Sequence, residues 1–311
     1  MFCRLSSSSR VGRILLVSLS NIGDIVMTFP VFDALRATFP GAEISVVVGP
    51  KGKTFFCDNP HVQRVIVFDK RMPPSDKWRW LLQLRRQRFD LLVDLRNSML
   101  PFLLGTRYST RPVMVSVPGH MKERHMLRLI SVVPHSVLPG ERYAGYLSGQ
   151  ELRQAKGTVY GQNGFVVFAP GAADQRKRWN EDGFTKVIQH VTERLGHRVV
   201  VVGDRRDRPV VERILRDVSG GVINLCGFTT LRELSGVVRL ASLVVANDSG
   251  IMHLASYFDI PIIALFGPTD PLLYGPWSSR AEVVRKGELM ADIKVEDVLK
   301  ALDSCLAGRQ L

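Results

Sequence analysis

Strand-sized runs that are apolar at every position, such as Val199-Val200-Val201-Val202, alternate along this chain with amphipathic stretches of helical period. A strand apolar on both faces must be covered on both faces, and intervening helices provide the cover, so the pattern specifies parallel sheets with right-handed crossovers. In the first half it predicts strands at 14–18, 43–48, 64–68, 90–95 and 113–117, with helices near 24–38, 76–88 and 120–131. The second half repeats the plan, with strands near 165–169, 198–202, 222–225, 243–246 and 261–266. Its helices fall near 181–195, 207–218, 231–241 and 250–257, and residues 292–306 read as a last amphipathic helix. A chain of 311 residues is longer than one core usually holds. Two similar α/β domains are expected, residues 1–155 and 156–311, joined by the Gly- and polar-rich segment Glu141 to Gly164. Ligands of such sheets sit at the carboxyl ends of the strands, so two facing sheets would offer a cleft.

Composition removes several classes. Apolar residues at 45% and charged residues at 23% are globular values and exclude a disordered or fibrous chain. No apolar run approaches the ~18 residues of a membrane span. Met1 to Phe29 carries Arg4, Arg10 and Arg13, but its apolar core Ile14-Leu15-Leu16-Val17 is too short for a signal peptide, so it reads as a polar tail and a first strand. Cys3, Cys57, Cys226 and Cys305 lie far apart without a CxxC pair, which argues against a zinc site or a disulfide framework and fits a reducing compartment. The net charge of +13 is uneven. Up to residue 155 there are 22 Lys and Arg against 11 Asp and Glu; beyond it there are 20 against 18. A strongly basic first half suggests an anionic partner, whereas the bland alternative is a merely soluble surface.

Local signals place the motifs. Thr230 with Glu233 makes a capping box, Asn180 is an N-cap followed by Glu181 and Asp182, Pro30 should delay or kink the first helix, and Gly267-Pro268 ends the last strand. The first motif, Ser18-Leu19-Ser20-Asn21-Ile22-Gly23-Asp24, leaves strand one and enters helix one. Position alone favours Asp24 as a helix cap over a general base. The second, Ala169 to Trp179, follows a strand with a small-residue loop and the cations Arg176, Lys177 and Arg178. Gly171 lets backbone amides approach a phosphate and Lys177 adds a charge; the bland reading is a solvated basic turn with Trp179 as packing anchor. The third, Val245 to His253, runs a buried strand into a helix that opens with Asp248, Ser249 and Gly250. Amides and a hydroxyl there suit a diphosphate, and Asp248 then has to bind a sugar hydroxyl or orient another group. The loop Phe266 to Pro271, with Thr269, and the segment Gly203 to Asp207 end two further strands. No GxGxxG, P-loop, GxSxG or HExxH occurs, and Asp248 with His253 lacks a third metal ligand.

Five segments, ILLVSLSNIGDIVMTFPVFDALRATFPGAEISVVVGP, FDLLVDLRNS, APGAADQRKRWN, VVANDSGIMHLA and ALFGPTDP, resemble in order the ADP-heptose:lipopolysaccharide heptosyltransferases, glycosyltransferase family nine. The resemblance implies a GT-B fold, with two parallel α/β domains facing across a cleft and the last helix, about 292–306, packing back on the N-terminal domain. It implies inverting, metal-independent transfer of heptose from ADP-L-glycero-D-manno-heptose to the Kdo/heptose inner core, with no cofactor besides the donor. The enzyme would be cytoplasmic and peripheral on the inner membrane. By position, Asp24 falls on the family's general base and Lys177 on its phosphate-contacting lysine. Gly23, Gly171, Asp248, Ser249, Gly250, His253 and Thr269 fall in donor-site segments, and Asp207 on an acid that binds ribose. The departure is Ala172-Ala173, where some heptosyltransferases carry hydroxyls. The first half becomes the acceptor domain for a polyanionic lipid A core, with Lys51, Lys53, Lys70, Arg71, Lys77 and Arg79 as contacts and Trp78 and Trp80 near the membrane interface or in helix packing. The second half becomes the nucleotide-sugar domain. Alternatives are a related transferase with another nucleotide sugar or acceptor, a GT-B epimerase, and a nucleotide- or RNA-binding protein. The last is poorly supported, because few aromatics interleave with the basic runs, and no nucleic acid partner is expected.

Overall fold

A computed structural model describes residues 5–6, 9–111, 118–159 and 164–306. Its contacts divide the chain into two compact units, residues up to Tyr146 and residues from Leu147 on. The division falls before the expected boundary at residue 155.

The first unit runs β1 (Arg13–Val17), α1 (Ile22–Met27), α2 (Phe29–Thr38), β2 (Glu43–Val48), α3 (Lys53–Phe56), β3 (Arg64–Val67), α4 (Pro74–Arg86), β4 (Leu91–Asp94), α5 (Leu100–Leu104), β5 (Tyr108–Ser109) and α6 (Met121–Val132). The strands are parallel in the order β3-β2-β1-β4-β5. Leu16 pairs with Val46 on one side and with Val93 on the other. Ile14 to Val17 are fully buried, as both-face burial of a central strand requires. The single helix expected over 24–38 is two. Pro30 stands in the first turn of α2, and Thr28 ends α1 by donating its hydroxyl to the Ile25 carbonyl. The strand expected at 113–117 lies outside the described residues; the edge strand described is β5.

The second unit runs α7 (Gly149–Thr158), β6 (Phe165–Ala169), α8 (Glu181–Gln189), β7 (Arg198–Val201), α9 (Arg208–Leu215), β8 (Val222–Asn224), α10 (Leu231–Leu240), β9 (Leu243–Asn247), α11 (Gly250–Tyr257), β10 (Ile262–Leu265), α12 (Pro271–Tyr274), β11 (Ala281–Val284) and α13 (Val295–Leu306). Its parallel order is β11-β10-β9-β6-β7-β8. The expected helix 181–195 is α-helical only to Gln189 and closes in a π turn, His190–Arg194. The division between the units falls inside the segment Glu141 to Gly164, and the described part of that segment is structured. Ala144 is pinned in the first unit by Asp33 and Asn59, and residues 149–158 form α7, which packs on α10. The last helix buries Val298, Ala301 and Leu302 in the second unit's own core against α8, β10 and β11. Three apolar residues at helical spacing supply that stripe.

The junction of α7 with α10 is ionic. Arg232, nearly buried, donates from Nε and Nη2 to both carboxylate oxygens of Glu151 at 2.5 and 2.7 Å. Glu151 also closes a capping box with Ser148. The guanidinium holds the Glu151 carboxyl at about 2, well below its usual 4.5. A depressed folded-state value stabilises the fold above pH ~4.5, and that share is lost as the pH falls from there through about 2. With solvent screening the share is about 1–2 kcal/mol. Glu151→Gln should therefore lower the melting midpoint by about 2–4 °C at pH 7. In melts at successive pH values, the gap from wild type should close between pH 4.5 and 2.

Candidate functional site

In a doubly wound sheet the winding reverses between two neighbouring strands, and their carboxyl ends form a crevice where ligands bind. In the first unit the reversal lies between β1 and β4, and in the second between β6 and β9. The first three motifs leave β1, β6 and β9, the FDLLVDLRNS segment runs through β4, and the loops Gly203 to Asp207 and Phe266 to Pro271 leave β7 and β10.

In the first unit Asp24 stands at the third position of α1, partly exposed, and accepts a hydrogen bond at 3.0 Å from the Nδ2 of Asn21, the N-cap residue. Asn21 makes no side-chain cap bond. Gly23 precedes it in the same turn. The loop before α1 is held from β4. Arg96 Nε donates to the Ser18 carbonyl at 2.6 Å, and Nη2 donates to the Leu19 carbonyl and the Ser20 hydroxyl at 3.2 and 2.9 Å. Asp94, fully buried at the end of β4, accepts from Arg96 N–H and from the backbone and hydroxyl of Ser98. Arg96 is thus the brace of the Asp24 loop. Burial pulls its pKa down, partly offset by Asp94. The FDLLVDLRNS segment was legible as a motif, but nothing in its spacing said which loop Arg96 would reach.

The cations Lys51, Lys53, Lys70, Arg71 and Arg79 are exposed and Lys77 is half-buried. Lys51 and Lys53 follow β2, Lys70 and Arg71 follow β3, and Lys77 and Arg79 lie in the first half of α4. In a parallel sheet all carboxyl ends share one edge, so the loops after β2 and β3 lie along the edge that carries Asp24. Arg79 pairs with Asp76 at 3.5 Å on the surface. Trp80 packs on Phe68, whereas Trp78 is 60% exposed.

In the second unit Lys177, in the 3₁₀ turn after β6, donates from Nζ to Asp248 Oδ2 at 2.7 Å. Asp248 is nearly buried at the end of β9 and Lys177 is 29% exposed along its side chain. The carboxylate that looked awkward beside a phosphate orients the lysine. Ser249 occupies the N-cap position of α11, yet its hydroxyl makes no cap bond and is buried with no partner among the described residues. Gly250 opens the helix, whose first amides have no partner within it. A buried hydroxyl and helix amides without a partner in the helix, beside an ammonium, have the chemistry that suits an anion. His253, one turn on and buried, stacks on Trp277 with ring centroids 5.6 Å apart. Trp277 follows the last motif, and no signal in the sequence marks it. Thr269 lies in the loop after β10, beside β9, half-buried.

The loop after β6 is held from behind. Asn247 donates to the Pro170 carbonyl at 2.7 Å and accepts from Trp179 N–H at 3.2 Å, which sews β6 to β9. Trp179 is buried and donates Nε1–H to the Ile293 carbonyl, as a packing anchor should. Arg178 donates to the Ala172 carbonyl and pairs with Asp207 at 3.0 Å. Asp207 also accepts from Asp204 N–H at 3.0 Å. Both Asp207 oxygens therefore have protein partners, and its carboxylate lies under Gly171. Burial pushes the Asp207 carboxyl up, partly offset by the Asp204 amide and Arg178. A Cβ on Gly171 would stand 2.2 Å from Asp207 Oδ2. Gly171→Ala should cost about 1–3 kcal/mol through this overlap, read as a lower urea midpoint at unchanged slope.

Among the described residues no group of three or more His, Cys, Asp or Glu is placed to hold a metal ion, and no helix is long and apolar enough to cross a membrane. Among the described residues Cys57, Cys226 and Cys305 form no disulfide.

Residues 78–302 match the family model for glycosyltransferase family 9 (heptosyltransferase). The chain is 26% identical to lipooligosaccharide heptosyltransferase 2 of Haemophilus influenzae, over 89% of this chain and 90% of that protein. It is 24% identical to lipopolysaccharide heptosyltransferase 3 of Escherichia coli, over 91% and 95%. Among solved structures, E. coli ADP-heptose lps heptosyltransferase II superposes with a TM-score of 0.78 at 24% identity, covering 95% of this chain and 98% of that one. A glycosyltransferase family 9 protein from Veillonella parvula gives 0.82 at 22% identity, over 98% and 100%. The superpositions establish the fold as GT-B.

Proposed function

The chain belongs to glycosyltransferase family 9, the heptosyltransferases, and from that premise we propose that it transfers heptose from ADP-L-glycero-D-manno-heptose to the Kdo/heptose inner core of lipopolysaccharide. The observation that carries this reading is the anion site of the second unit, where Lys177, held by Asp248, meets the start of α11 and the buried hydroxyl of Ser249. The relatives named above, heptosyltransferases of lipopolysaccharide or lipooligosaccharide, support it.

In this mechanism Asp24 takes the proton of an acceptor hydroxyl. The oxygen attacks the anomeric carbon from the face opposite the diphosphate, the bond from that carbon to the diphosphate oxygen breaks, and ADP leaves with the bonding pair. Lys177 and the amides after Ser249 stabilise the charge that builds on the leaving group, so no metal is required by the chemistry. Gly250 lets the helix start approach the phosphates, while Gly171, Thr269 and His253 with Trp277 shape the donor's surroundings. Asp207 serves the donor by fixing the 170–173 loop through Arg178. Backbone amides replace the hydroxyls that Ala172 and Ala173 lack. The first unit holds the acceptor, a phosphorylated lipid core, at the cytoplasmic face of the inner membrane. Lys51, Lys53, Lys70, Arg71, Lys77 and Arg79 supply the charge, and the 22-to-11 excess of basic residues up to residue 155 supports that assignment.

Turnover tests the proposal. The purified protein is mixed with the ADP-heptose and Kdo-bearing lipid A in EDTA, and the lipid is weighed by mass spectrometry. A gain of one heptose supports the reading. A gain only on an already heptosylated acceptor assigns a later transfer. No gain on either, with product from another nucleotide sugar in a donor panel, overturns the donor. Neutralising Lys70, Arg71, Lys77 and Arg79 together should raise the acceptor KM more than tenfold and leave ADP affinity unchanged; equal loss of both refutes the division of labour.

A further inference from the structure

A cavity of about 400 Å³ opens in the first unit between α4, α5 and the carboxyl ends of β1 and β2. Its volume is that of a small-molecule site. Val17, Phe68, Leu81 and Leu100 form its walls and continue the core cluster beneath the sheet. Its mouth is marked by lining residues that solvent reaches: Trp78 at 60%, Met99 at 62% and Leu103 at 45% exposure. Solvated apolar side chains around an apolar cavity are a binding surface rather than ordinary scatter.

The polar groups at the cavity define its ligand. Lys77 and Arg96 line it, and no carboxylate does. Ser98 lines it too, but its hydroxyl is bonded to Asp94. The indole Nε1 of Trp80 is buried with no partner among the described residues. A saccharide placed here would meet donors at Lys77, Arg96 and Trp80 but no carboxylate to accept from its hydroxyls, and each hydroxyl proton left unpaired would cost about 1–3 kcal/mol. A hydrocarbon chain has no such cost, and a negative head suits the cations. Exposed Trp and Met beside Lys and Arg is also the residue mixture of a bilayer interface.

We propose that this cavity receives one acyl chain of an anionic phospholipid of the membrane surface, with Lys77 holding the phosphate at the mouth. Arg96 already braces the Ser18–Ser20 loop, so lipid occupancy would bear on the same side chain that positions Asp24. The lipid site stands independently of the transferase reading, because binding alone tests it.

The intact chain is titrated by calorimetry with n-alkyl phosphates from hexyl to dodecyl, below their micelle concentrations. Affinity should rise about fourfold per methylene, the equivalent of ~0.8 kcal/mol, and level off when the cavity is full. Decyltrimethylammonium should bind at least tenfold more weakly than decyl phosphate. Leu103→Trp, which fills the mouth, should weaken decyl phosphate at least tenfold with an unchanged melting midpoint. If that variant melts early, the wild-type chain-length series decides alone. Affinity independent of chain length, or equal binding of the ammonium compound, would overturn the proposal. The source is tested with vesicles of phosphatidylglycerol and phosphatidylcholine. Wild type should float with them and not with phosphatidylcholine alone, and decyl phosphate, but not inorganic phosphate, should release it. Failure to float, or flotation that decyl phosphate leaves intact, would overturn the membrane lipid as occupant.

Discussion

Lys177→Ala should lower kcat by about 10²–10³, the loss expected when one donor to a charge that develops in the transition state is removed, ~2.7–4 kcal/mol of barrier. ADP affinity should fall far less, because the diphosphate of the ground state keeps the α11 amides and Ser249. The more informative partner is Asp248. It touches Lys177 at 2.7 Å from a nearly buried position, so it acts through the lysine. Asp248→Asn keeps the shape and removes the charge that fixes the ammonium. It should cost about tenfold in kcat, and the double variant should be no slower than Lys177→Ala alone. Residues that act as one unit give such non-additive losses. If Asp248 instead bound a donor hydroxyl, the two losses would multiply in steady-state kinetics and the donor KM would rise with Asp248→Asn.

The second-unit site was legible in the sequence because its parts are local. A buried strand running into Asp248-Ser249-Gly250 and a basic loop after another strand locate two carboxyl ends, and the parallel order of the strands brings them together. What was not legible was pairing across distance. Asn247 stands just past the strand expected at 243–246, inside the third motif and with no role read for it, and only the β6–β9 adjacency shows it binding Pro170 and Trp179. Trp277 lies beyond the last recognisable motif, and its stacking on His253 depends on how the chain returns after β10. The α7 helix is hard to read from the sequence for a different reason. Its capping box, Ser148 with Glu151, was present in the sequence, but Gly149 and Gly157 dilute the helical pattern, and packing on α10 overrides their poor propensity. The last helix is legible as an amphipathic stripe, but a stripe alone does not say which core it joins, and Val298, Ala301 and Leu302 are buried in that of the second unit.

Asp24→Asn should lower kcat by about 10²–10⁴, the range for removal of a positioned general base, with donor affinity unchanged. The asparagine keeps the size of the side chain and its place in α1, so a fold defect is not the expected cause. The acid limb of the pH–kcat profile reports protonation of the base in the enzyme–substrate complex, and it should vanish in this variant. Arg96 separates base from brace. Its guanidinium spans two carbonyls and the Ser20 hydroxyl. A lysine keeps the charge but lacks the planar fork. Arg96→Lys should therefore misplace the Asp24 loop and cost about tenfold or more in kcat, while the acid limb survives because the base is still present. An acid limb retained in Asp24→Asn would refute Asp24 as the base. Loss of the limb in Arg96→Lys would show that Arg96 sets the protonation of the site as well as its geometry.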